Sequence, residues 1–116
     1  MNLPGEAGGP LGPVDIRRAT NNAEGCRGWA NARPSHIIYV QSPARYLRAH
    51  VQSTTDTTLV IRRPDGTFLC DDDTNGTNPQ IEINPWPAGE YRIWVGTYAR
   101  SNQTRPYRLY FTRQRP

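Results

Sequence analysis

The sequence predicts an all-β protein: an antiparallel, jelly-roll-like β-sandwich of about seven or eight strands with an extended N-terminal arm. Three observations lead there. No segment of the 116 residues keeps the helical apolar period over several turns. Apolar and polar residues alternate instead in short runs, which suits half-buried strands. Turn formers, with 10 Gly and 11 Pro, punctuate the chain between those runs.

The elements follow in order. Residues 1–19, starting MNLPGEAGGPLGP, read as a Gly/Pro-rich arm, and residues 20–116 as the sandwich domain. The arm has no core of its own, so it is ordered only by docking on its own domain or on a neighbouring subunit. Val14, Asp15 and Ile16 alternate as an inserted strand would, and are the expected docking piece. Residues 21–32 allow a short helical turn. Strands are expected over residues 36–41, 46–52 and 57–63. Pro64-Asp65-Gly66 is a tight turn, because Pro presets φ at its second position and Gly closes it, so residues 67–70 return as the hairpin partner. Residues 80–84 alternate, Pro85-Trp86-Pro87-Ala88-Gly89 turns, and residues 90–98 and 107–113 are the longest strands. By parity, Leu47, Ala49, Val51, Leu59, Ile61, Phe68, Ile81, Ile83, Tyr91, Ile93, Val95, Leu109 and Phe111 face inward.

Composition narrows the function classes. The formal net charge is +4, and all 14 basic residues are Arg. Arg suits bidentate pairing with carboxylates and stacking on aromatic rings. The Arg residues are spread along the chain rather than clustered, which speaks against a nucleic-acid footprint. No apolar run approaches the ~20 residues of a spanning helix. The start lacks the charged-then-apolar order of a signal peptide, so a secreted origin implies a leader removed or replaced. Cys26 and Cys70 have no CxxC or His-rich spacing. They fit one disulfide in an oxidising compartment, with two buried free thiols as the alternative. A bridge closing that loop would stabilise the fold by roughly 4 kcal/mol in the chain-entropy account.

The sharpest local signal is Cys70-Asp71-Asp72-Asp73-Thr74-Asn75-Gly76. Successive carboxylates in one tight loop repel, and a hard cation such as Ca²⁺ removes that cost by taking oxygen ligands. Asp71, Asp72 and Asp73 are therefore candidate calcium ligands, with Asp56 at the same end of the sandwich. The spacing is not that of an EF-hand. The alternative is a solvated acidic loop paired with Arg. Asn75 and Asn102 each begin an N-glycosylation tripeptide. Opposite the inward parity, Arg92, Trp94 and Tyr98 form one row, and Arg108 with Tyr110 another, a candidate face for polysaccharide or fibrous protein. For Trp94 the alternative is a place in the core. Catalysis is not expected: His36 and His50 are isolated, and Ser42, Ser53 and Ser101 sit in no nucleophile motif.

Residues 56–98, DTTLVIRRPDGTFLCDDDTNGTNPQIEINPWPAGEYRIWVGTY, resemble the bacterial pre-peptidase C-terminal (PPC) domain. The shared pieces are a D-x-x-L-x-I strand, a PDG turn, an acidic loop and a G-x-Y-x-x-x-V strand, and the closing YRLYF resembles the family's last strand. The resemblance implies a secreted, non-catalytic sandwich related to the calcium-binding collagen-binding modules of clostridial collagenases. By position it assigns Asp71, Asp72, Asp73 and Asp56 to the ion. It adds N-terminal acidic ligands, for which Glu6, Asp15 and Glu24 are available. Cys70-Asp71 departs from the family's plain Asn-Asp pair, and no enzyme domain precedes the module in this sequence.

The expectation is thus a calcium-stabilised extracellular subunit, non-catalytic, that self-assembles into a homo-oligomer or filament through its arm. An adhesive module is the alternative.

Overall fold

The computed structural model describes residues 2–8, 14–43, 46–72, 76, 78–83, 85–100 and 103–113. In chain order the elements are β1 (Asn2–Gly8), β2 (Val14–Asp15), α1 (Ile16–Ala19), β3 (Trp29–Ala30), β4 (His36–Val40), β5 (Leu47–Gln52), β6 (Thr57–Arg62), β7 (Phe68–Asp71), β8 (Gln80–Ile83), β9 (Gly89–Thr97) and β10 (Thr104–Thr112). They form two antiparallel sheets. The smaller has the order β1-β10-β5-β8; the larger runs β2-β3-β9-β6-β7, with β4 also on β9. β4 and β6 both pair with Arg92 and Ile93, so they lie on opposite edges of β9.

The expected sandwich is therefore present, and β4 to β10 fall close to the strands read from alternation. The N-terminal residues dock on their own domain, one of the two expected alternatives, and do so as a strand: β1 is an end strand of the smaller sheet, paired with β10 from Asn2↔Tyr110 to Gly8↔Thr104. The physical reason is its own alternation. Ala7 is buried and Leu3 packs on the core. Val14 and Asp15 pair with Ala30 and Trp29 in the larger sheet. Ile16 is not part of an inserted strand: it opens α1, the helical turn, which lies ahead of residues 21–32. Asp15 caps α1, its side chain accepting the Arg17 N–H at 3.1 Å.

The main core lies between the sheets and contains Ala49, Val51, Leu59, Ile61, Ile81, Ile83, Tyr91, Ile93, Val95, Leu109 and Phe111, as parity implies, with Leu47 at its margin. Phe68 departs. It is the register partner of Arg62, so it leaves the opposite face, and Leu69, opposite Ile61, points inward instead. Trp86, read only as a turn residue, is fully buried beside Tyr91 and Phe111, and its indole N–H donates to the Leu47 carbonyl at 2.8 Å. A second cluster, Ile16, Cys26, Ala30 and Val60, with Phe68, Cys70 and Trp94 packed against it, covers the outer face of the larger sheet. That cover comes close: a Cβ at Gly96 would collide with the Trp29 carbonyl oxygen, so only glycine lets β3 cross β9 there.

Candidate functional site

The candidate side chains lie in three regions: the N-terminal strand, the outer aromatic face and the described part of the acidic loop, Asp71 and Asp72.

β1 closes one side of the sandwich. Its inward positions are Leu3, Gly5 and Ala7, and its outward positions Asn2, Pro4 and Glu6 are exposed. Gly5 lies against the Tyr107 ring so tightly that an added Cβ would meet the hydroxyl. On the outer side the Arg108 guanidinium donates to the Asn2 side-chain oxygen at 3.2 Å. Leu3, Gly5 and Ala7 were legible by alternation, but the surrounding Gly and Pro masked the signal. Beneath Gly5, the Tyr107 hydroxyl lies 2.8 Å from His36 Nε2, linking the two sheets. Burial holds the His36 imidazole below its ordinary range and pushes the Tyr107 phenol up, the latter opposed by a hydrogen bond with Ser35.

The outer aromatic face divides. Cys26 and Cys70 form a disulfide that fastens the 14–30 segment over the larger sheet. Trp94 is half-buried under that cover and donates to the Ala32 carbonyl at 3.3 Å, so it serves both the second cluster and a surface slot. Arg92 is beside it, its Nε 2.7 Å from Glu90. Tyr98, 47% exposed, lies past the end of β9, where its N–H donates to the Asp56 carbonyl. Tyr110 is elsewhere, on the smaller sheet, stacked on His50 at 5.0 Å. The expected single face of Arg92, Trp94, Tyr98 and Tyr110 is thus not formed, because β9 and β10 belong to different sheets. An aromatic contact not foreseen is Arg100 over the Trp29 ring, 5.4 Å from its centre.

At the acidic loop, Asp71 pairs with Leu59 in register, so its side chain is on the inner parity. Its Oδ2 accepts the Gln80 N–H at 2.8 Å, joining β7 of the larger sheet to β8 of the smaller. Asp56 precedes β6 and is exposed at the same end of the sandwich as Asp72. Among the described residues no three His, Cys, Asp or Glu side chains come together as metal ligands would. Asp73 lies outside the described residues, as do Asn75 and Asn102. Glu6 is exposed on β1, Asp15 caps α1, and Glu24 lies in the segment after α1.

No protein-family model matches the chain. It is similar to an uncharacterized protein of Synechococcus elongatus, 39% identical over 87 residues, a match covering 71% of this chain and 61% of that protein. The chain thus spans less than two thirds of that relative's length.

Proposed function

We propose that this domain is a non-catalytic extracellular building block whose N-terminal strand is exchanged between copies, so that subunits add head to tail into a filament. One observation carries this. β1 supplies Ala7 and Leu3 to the core, yet among the described strands it is hydrogen-bonded into its sheet through β10 alone. An identical strand from a second copy makes the same ladder and fills the same core positions, the low-cost route by which identical elements swap. The connection to β2 has the sequence Gly9-Pro10-Leu11-Gly12-Pro13, poor in residues that would commit it to a core. The Cys26–Cys70 disulfide is compatible with an oxidising, extracellular setting, and no described helix is long and apolar enough to cross a membrane. The PPC resemblance supports the same setting and adds calcium at the acidic loop, where Asp72, Asp73 and Asp56 would hold it beside Asp71.

The test uses Pro4 and Arg108, outward-facing register partners. Pro4→Cys and Arg108→Cys single variants are mixed, oxidised and resolved without reductant. Strand exchange produces mixed disulfide dimers, and electron microscopy of the unmodified protein shows filaments. Particles that stay monomeric at high concentration, with no mixed dimer, overturn the assignment.

A further inference from the structure

The outer face of the larger sheet carries a slot of about 200 Å³ beneath α1. Its walls are mostly apolar, with Ile16 and Ala30 from the cover and Val60, Phe68 and Trp94 from the sheet, beside the polar Thr20 and Asn31. An apolar cavity of about 150 Å³ holds a benzene molecule, so this slot has room for one aromatic ring.

The register then places charge at one end. Along this face Val60 is opposite Trp94, and one step on Arg62 is opposite Arg92. Both Arg side chains are exposed and both line the slot. Like charges directly across an antiparallel pair destabilise it. Glu90 answers one of them through the Arg92 Nε. One positive charge of that trio is left over at the mouth of an apolar recess. Arg is also the side chain whose planar fork matches a carboxylate.

We infer that the slot binds a small aromatic carboxylate. The ring lies between Ile16 and Trp94, and the carboxylate sits between Arg62 and Arg92. This site is separate from the β1 seat on the smaller sheet and does not depend on strand exchange.

Phenylacetate is the probe, titrated into the ¹⁵N-labelled protein, with phenylacetamide as a neutral counterpart of the same shape. Saturable shifts are expected at the Trp94 indole N–H and at the Ile16 and Ala30 amides. Phenylacetate should bind about tenfold more tightly than the amide. Arg62→Gln and Arg92→Gln change exposed side chains; each should remove most of that preference while leaving the amide's affinity and the melting temperature unchanged. No saturable shift, equal affinity for acid and amide, shifts confined to other surfaces, or a preference that survives both Arg variants would each overturn the assignment.

Discussion

His36 and Tyr107 join the two layers of the sandwich, imidazole Nε2 to phenol at 2.8 Å, directly beneath Gly5 of the N-terminal strand. A titratable group therefore sits next to the strand proposed to exchange, and the stability of that corner is tied to proton concentration.

The sign follows from burial. His36 and His50 are both held below the ordinary imidazole value, His50 through burial first and then the Arg48 charge. As pH falls through about 6.5, the unfolded chain takes up protons before the folded one. Stability is thus complete above about 6.5 and is lost as pH drops toward the folded-state values. Urea midpoints should be level between about pH 7 and 8 and decline from about 6.5 to 5. His36→Gln should flatten part of that slope; an unchanged slope assigns the pH dependence to other groups.

The disulfide spans a sequence separation of 44 residues. The paired variant Cys26→Ser, Cys70→Ser should lose about 4 kcal/mol of unfolding free energy in the chain-entropy account. It should also raise hydrogen exchange in the 14–30 cover more than in β5 or β10. Denaturant unfolding with exchange mass spectrometry reads both.

Gly5→Ala forces a methyl group against the buried Tyr107 ring. Overpacking of this kind costs about 1–3 kcal/mol. The melting temperature should fall, and protection of the β1 amides should fall with it. Pro4→Ala, on the outward face of the same strand, should leave both nearly unchanged.

The proposed calcium at the acidic loop would stabilise the native state by mass action. The melting temperature should rise saturably with Ca²⁺ over chelator, and Asp72→Asn with Asp73→Asn should abolish the rise. A flat titration retires the ion. Asp71→Ala should destabilise the fold with or without calcium, by about 1–3 kcal/mol, since the buried-side Gln80 N–H loses its acceptor.

Period-two alternation reached most of the fold. Leu59, Ile61, Ile93 and Val95 read as one face, and they are one face. Phe68 misled because the turn sets the register of β7, and only the pairing with Arg62 reveals which way it points. Trp86 was hidden by its prolines: a turn residue can still be buried when a neighbouring strand, here β5, supplies a carbonyl for its indole. β1 was hidden by glycine, yet Gly5 is there because Tyr107 leaves no room for a side chain. Within the candidate sites, the Cys26–Cys70 bridge and the Arg92–Trp94 neighbourhood were legible from residue type and parity. The division of Trp94 from Tyr110 was not, since strand length does not say which sheet a strand joins.

Because Asn2 is paired with Tyr110, two residues before β10 ends, both termini of the folded body emerge at one corner. Anything joined to the two ends is held side by side, not at opposite poles. The domain is accordingly suited to being spliced into a loop of a host protein with little stretch of the host backbone.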